Sequence, residues 1–191
     1  MKTLDHAALV AQARIDSPLG PLTAAATTRG VAGLWFDGQR HHPGALALPL
    51  DPMQPHLAQL RAELQQYWSG PSHEPFRVAL DPHGTAFQKA VWSALLRIGC
   101  GRLSSYGELA AVVGRPAAAR AVGAAVGRNP ISIVIPCHRV LGRDGSLTGY
   151  AGGLARKQAL LALERQPPQQ HPTPETRRPP LRAAVSSGAG A

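Results

Sequence analysis

The sequence predicts an α+β fold in two parts. Residues 1–80 should form a small antiparallel sheet with one helix, residues 81–165 a mostly helical unit containing a helix-turn-helix, and residues 166–191 a disordered tail. Three observations lead there. Strand-forming runs separated by Gly/Pro turns crowd positions 11–36. Later segments repeat apolar residues at three- and four-residue intervals. The chain closes on a stretch rich in Pro, Gln, Ser and Ala that has too few large apolar side chains to order itself.

In chain order, Ala13–Asp16, Leu22–Thr27 and Val31–Phe36 read as strands, with turns at Ser17-Pro18-Leu19-Gly20-Pro21 and Arg29-Gly30. From Asp37 to Pro55 the composition is that of a loop. His41-His42 in it lack a further ligand at fixed spacing, so a solvated loop is expected there and no metal site. Leu57, Leu60, Leu64, Tyr67 and Trp68 mark an amphipathic helix over Pro55–Trp68, stopped by Ser69-Gly70-Pro71. Phe76–Leu80 alternates and should add a strand, and Asp81-Pro82-His83-Gly84 reads as a connection.

Thr85 can cap a helix through Phe87, Val91, Trp92, Leu95 and Leu96. Ser104 or Ser105 opens the next, through Tyr106, Leu109, Ala110 and Val113, and Gly114-Arg115-Pro116 breaks it. A third runs from about Ala117 to Val126 or Arg128, so two short helices flank a tight turn in the form of a helix-turn-helix. Apart from Arg120 and Arg128 this third helix is nearly all Ala, Val and Gly. Small side chains at Ala119, Ala121 and Gly123 would let its backbone approach a minor groove without reading sequence. The same composition also suits a buried Ala-rich core helix.

The apolar run Ile131–Ile135 should be buried and extended, and Pro136 after it leaves Cys137 at the end of a rigid segment. Gly142-Arg143-Asp144-Gly145 is a turn, Gly149–Gly153 a closely approached loop, and Leu154, Leu160, Leu161 and Leu163 mark a last helix ending near Glu164-Arg165.

Composition bounds the partners. Of the 191 residues, 44% are hydrophobic and only 5% aromatic, so small aliphatic side chains carry the packing. The net charge is +9, and it is unevenly placed: residues 1–80 net zero, residues 81–165 net +7 and the tail +2. That asymmetry points to a polyanion such as DNA, although an arginine-biased composition would produce the same sum. The two cysteines form no CxxC pair, which excludes a zinc ribbon and argues against a disulfide scaffold. Asp5 interrupts any secretory apolar region and no apolar run approaches a membrane span, so a soluble protein of a reducing cytoplasm is expected.

Cys137 is the residue with chemical promise. Its thiolate would be a nucleophile, and His138, directly or through one solvent molecule, could accept the thiol proton. The bland alternative is a small buried apolar residue. Here the residues resemble a known family. Pro136-Cys137-His138-Arg139-Val140 is similar to the active-site signature of the O6-alkylguanine-DNA alkyltransferases. Ser105-Tyr106-Gly107-Glu108-Leu109-Ala110, Ala119-Arg120-Ala121-Val122-Gly123, Asn129-Pro130 and Gly149-Tyr150-Ala151-Gly152-Gly153-Leu154 extend the match in order over about residues 84–165.

The resemblance implies a ribonuclease H-like N-terminal unit and a winged-helix-like C-terminal one. It implies direct-reversal repair: irreversible, stoichiometric transfer of an alkyl group from O6-alkylguanine in double-stranded DNA to Cys137, with O4-alkylthymine left open as a second substrate. His138 would take the thiol proton through a water and Glu164 would orient the imidazole. Tyr106 would help flip the nucleotide and protonate the leaving base, and Asn129 would join the DNA-binding helix to the active segment. Arg120 would fill the gap left in the stack, and Arg128 would meet phosphate or solvent. Pro136, Val140, Tyr150, Ala151 and Gly152 would line the substrate pocket. No cofactor, no membrane and a monomer are expected. The rival readings are a non-catalytic damage sensor or helix-turn-helix regulator, against which the presence of Cys137 speaks, and a cysteine hydrolase, which would turn over.

Overall fold

A computed structural model describes residues 8–70 and 74–165. The expected tail over 166–191 lies outside the described residues. The first element is a three-stranded antiparallel meander of β1 (Ala11–Ile15), β2 (Leu22–Ala26) and β3 (Val31–Phe36). Ala11 pairs with Ala26 and Leu22 with Phe36, and a bulge interrupts the β2–β3 register at Ala25/Ala26. All six residues of β3 are buried. An alternating pattern would leave one face wet, but here both faces are covered: Leu34 and Phe36 belong to the main core, Ala32 and Trp35 to a second cluster with Leu9 and Leu46. Gly33 makes room for its neighbour's ring, since a Cβ on it would stand 1.7 Å from Trp35 Cη2.

Helix α1 (Pro55–Trp68) begins with Pro55 in its first turn, where the missing N–H costs nothing, and Gln54 caps it by accepting from Leu57 N at 3.0 Å. Its stripe of Leu57, Leu60, Leu64 and Tyr67 is buried, worth about 2 kcal/mol for each leucine. The strand expected over Phe76–Leu80 does not form; only Leu80 bridges β3, at Val31. The backbone N–H groups of Arg77 and Val78 are taken instead by Glu63 Oε2 of α1, at 2.9 and 3.2 Å.

In the C-terminal half, Thr85 and Gln88 form a capping box that opens α2 (Ala86–Leu95), and Ser105 and Glu108 form a second that opens α3 (Tyr106–Val112). After α3 the chain turns through Gly114, at φ +71, and a single 3-10 turn over Pro116–Ala118 into α4 (Ala119–Val126). Trp92 of α2 donates its Nε1–H to Ala125 O at 3.0 Å, tying α2 under α4. Two short strands, β4 (Ser104–Ser105) and β5 (Val140–Leu141), pair in parallel, and α5 (Leu154–Arg165) closes the described chain.

The run Ile131–Ile135 is buried as expected but not extended. Only Ile131 bridges a strand, at Leu34, and the chain then coils tightly, with Ile135 N donating to Ile131 O at 3.0 Å and Ile133 at φ +72. A β-branched residue at positive φ is strained, and a side chain upstream holds it there.

Candidate active site

That side chain is Asn129, the third residue after α4. Its Oδ1 accepts from Ile131 N at 3.0 Å, and its Nδ2 reaches Ile135 O at 2.8 Å, Ile131 O at 3.3 Å and Cys137 Sγ at 3.0 Å. One amide therefore folds the turn and touches the sulfur. Cys137 begins a 3-10 turn through Arg139 and is 4% exposed. Burial pushes its thiol up to about 11, against the pull of the Asn129 amide, the Lys157 ammonium and nearby backbone N–H groups.

His138 is fully buried, and its Nε2 lies 2.8 Å from Glu164 Oε1. Since a carboxylate only accepts, Nε2 carries the proton and Nδ1 keeps its lone pair. Nδ1 is buried and has no hydrogen-bond partner among the described residues. Burial lowers the imidazole's basicity, and the Glu164 carboxylate partly restores it.

Glu164, on the last turn of α5, gathers further donors. Arg139 grips it with Nε on Oε2 and Nη2 on Oε1, both at 2.8 Å, while its Nη1 donates to Ile98 O. Tyr67 of α1 donates its hydroxyl to Oε1 at 2.9 Å. Burial opposes ionisation of this carboxyl, but the hydrogen bonds and charges of His138 and Arg139 outweigh it and hold Glu164 at about 2. Lys157, two turns back on the same face of α5, is fully buried and spends its ammonium on Val140 O at 2.5 Å and Thr148 O at 2.6 Å.

The pocket candidates divide. Val140 and Gly152 are buried, and Tyr150 stands edge-on to His138, with ring centroids 6.4 Å apart. A Cβ on Gly152 would lie 2.6 Å from the Tyr150 ring. Ala151 accepts Arg40 N at 2.9 Å, anchoring this loop to the one after β3. Pro136 instead borders a cavity of about 280 Å³ shared with Tyr67, Phe76, Ile98, Cys100 and Arg139.

Tyr106 opens α3, half-buried, its hydroxyl 3.5 Å from Gly149 O. A Cβ on Gly123 would sit 3.6 Å from its ring, so α4 and the glycine loop bracket this phenol. On α4, Arg120 and Ala121 are exposed, as is Arg128 just beyond the helix, and Ala119 is half-buried. The inner side of α4 is Val122, Ala125 and Val126, so the helix is both core and surface. Among the described residues, no three His, Cys, Asp or Glu come together as a metal site, and no helix is long and apolar enough to cross a membrane.

Sequence reasoning missed Tyr67, Lys157 and the Arg139 clamp. Lys157 and Glu164 share the helical face of Leu160 and Leu161. Charges on an apolar stripe are the signal that could have found them. Tyr67 was hidden as one more apolar member of its stripe.

Fold and site together define a helix-turn-helix protein with a thiol centre built into the chain that leaves its second helix. Comparison with known proteins agrees. The family model "6-O-methylguanine DNA methyltransferase, DNA binding domain" matches residues 86–166, and "6-O-methylguanine DNA methyltransferase, ribonuclease-like domain" matches residues 10–82. A methylated-DNA–protein-cysteine methyltransferase of Mycobacterium bovis is 48% identical over 151 residues, covering 79% of this chain and 90% of that one. A protein of the same name from Haemophilus influenzae is 43% identical over 151 residues, covering 79% and 84%. The crystal structure of Mycobacterium tuberculosis OGT in complex with DNA superposes with a TM-score of 0.74 at 46% identity, covering 81% of this chain and 92% of that one. The chain belongs to the 6-O-methylguanine DNA methyltransferase family.

Proposed function

We propose that this protein is a methylated-DNA–protein-cysteine methyltransferase: a single-use repair enzyme that takes the alkyl group of O6-alkylguanine in double-stranded DNA onto Cys137. The observation that carries the reading is Cys137 Sγ at 3.0 Å from Asn129 Nδ2, followed in the chain by an imidazole fixed at 2.8 Å by Glu164. Family membership and the basic C-terminal half, net +7 over residues 81–165, support DNA as the partner.

The target base is stacked inside a duplex, so the nucleotide must be swung out at a cost of a few kcal/mol. Arg120, exposed on α4, takes its place in the stack, where a planar guanidinium can both stack and carry charge. Ala119, Ala121 and Gly123 let the helix approach the minor groove, and Arg128 meets phosphate. Tyr106, bracketed by Gly123 and Gly149, guides the nucleotide towards a pocket walled by Val140, Tyr150, Ala151 and Gly152.

At the centre, the thiol proton passes to the free lone pair of His138 Nδ1, through one water. The S–C bond forms as the C–O6 bond breaks, and the departing guanine anion takes a proton from Tyr106. The imidazolium is stabilised by Glu164, and the products are S-alkylcysteine and guanine. A thioether has no bond that water readily cleaves, so each molecule acts once and needs no cofactor. Burial keeps Cys137 protonated at rest, so charge separates only when the substrate is in place. The protein acts as a monomer in the cytoplasm.

Incubation with duplex DNA carrying labelled O6-methylguanine should place one equivalent of label on the peptide containing Cys137, and Cys137→Ser should accept none. Label on Cys100, or release of free methanol with turnover, would overturn the reading.

A further inference from the structure

One donor to Glu164 comes from the other end of the chain. Tyr67 sits on the last turn of α1, 5% exposed, wedged between Trp68 and Phe76, with ring centroids 5.0 and 5.7 Å away. Its hydroxyl donates to Glu164 Oε1 at 2.9 Å across 97 positions of sequence. The same oxygen accepts from His138 Nε2 at 2.8 Å and Arg139 Nη2 at 2.8 Å, while Oε2 receives Arg139 Nε. A carboxylate oxygen has two in-plane lone pairs, so three donors on Oε1 compete for them.

We propose that Tyr67 is a positioning residue for alkyl transfer: its hydroxyl takes up part of the acceptor capacity of Glu164 Oε1 and so sets how tightly that carboxylate holds the proton of His138. The inference rests on the reading that His138 receives the proton of Cys137. It gives the N-terminal half a part in the chemistry, because α1 supplies the phenol. The groups facing this carboxylate are His138 and Arg139 from the 3-10 turn, Tyr67 from α1, the half-buried thiol of Cys100 from the loop after α2 and the Tyr150 phenol of the glycine loop, which does not hydrogen-bond to it. Lys157, on α5 itself, faces the imidazole. Only Tyr67 is neutral, buried and a pure competitor of the imidazole, so its removal leaves every charge in place.

Without the phenol, Oε1 is less satisfied and attracts the imidazole proton more strongly. His138 then stays protonated to higher pH, and transfer, which needs the neutral ring, begins later. The test is the single-turnover rate of methyl transfer from duplex DNA against pH, using the full chain. For Tyr67→Phe the acidic limb should move up by about half a pH unit, a rate loss of about threefold on the limb that shrinks towards the plateau. A 15N titration of His138 in the unreacted protein should move in the same direction. Tyr67→Gln, which keeps a donor and loses the ring, should hold the wild-type limb even where its melting temperature falls. In a Glu164→Gln background, Tyr67→Phe should move nothing. A uniform loss at all pH values, superimposable profiles, or a shift that persists without Glu164 would each overturn the proposal. Wild-type protein that accepts no methyl group would instead refute the repair reading itself.

Discussion

Asn129 Nδ2 stands 3.0 Å from Cys137 Sγ, and the same side chain closes the turn that presents the sulfur. Fold and proposed nucleophile hang on one amide. Asn129→Ala strands Ile131 N in the interior, where an unmet donor is costly, and leaves Ile135 O with Cys137 N alone, so the variant should lose about 2 kcal/mol in urea unfolding. It should also transfer methyl far more slowly than its remaining folded fraction accounts for.

Stability should fall at alkaline pH because of Cys137. An ordinary thiol ionises near 9.0, and this one is pushed up to about 11, so between those values the unfolded chain gives up a proton that the folded chain keeps. Folding stability contributed below pH 9 is thus lost as pH rises towards 11, by up to about 3 kcal/mol. Denaturation of wild type and Cys137→Ala across that range should show the decline in the first and a flatter curve in the second.

Glu164 acts at the other end of the scale. Its carboxyl titrates at about 2 rather than the usual 4.5, so it stabilises the fold above pH 4.5 and withdraws that support as pH drops towards 2. The contribution is about 3 kcal/mol. Glu164→Gln removes this acid dependence and leaves Arg139 charged without its partner, at a total cost of about 3–5 kcal/mol near neutral pH that includes this contribution. The pH at which near-ultraviolet circular dichroism is lost would reveal both.

Arg120 and Arg128 are exposed, so truncating either should change stability by no more than about 0.5 kcal/mol. Their effects on DNA should differ. Arg120→Ala should slow repair of a duplex by about tenfold or more, since flipping costs a few kcal/mol, yet spare transfer from the free base. Arg128→Ala should weaken all duplexes alike and reduce the slope of log affinity against log salt by about one. Equal losses on duplex and free base would refute the wedge role of Arg120.

Much of this fold is legible in the chain because its signals are local. Ser105 with Glu108 and Thr85 with Gln88 are capping boxes, and Gly114-Arg115-Pro116 admits no continuous helix. The failures lie where a distant or competing side chain wins. Four apolar residues among the five from Ile131 to Ile135 suggest a strand, but Asn129 supplies the hydrogen bonds a sheet would have given. Phe76–Leu80 alternates like a strand, but Glu63 claims its donors. For the site, Cys137 and His138 announce themselves as neighbours. Nothing in their spacing calls for Glu164, which only the resemblance singled out, and no local pattern distinguishes a phenol that reaches a carboxylate from one that fills a core.

The outer edge of β3 has a consequence of its own. Val31 exchanges backbone hydrogen bonds with Ala79 and Asp81, and Leu34 with Pro130 and Ser132, at 2.8–2.9 Å. The strand that could have zipped onto a stranger's chain is thus sealed by stretches from both sides of the molecule. Pieces produced by cutting the chain after Leu80 would each carry raw seams, and they should clump when made alone but knit together again when mixed.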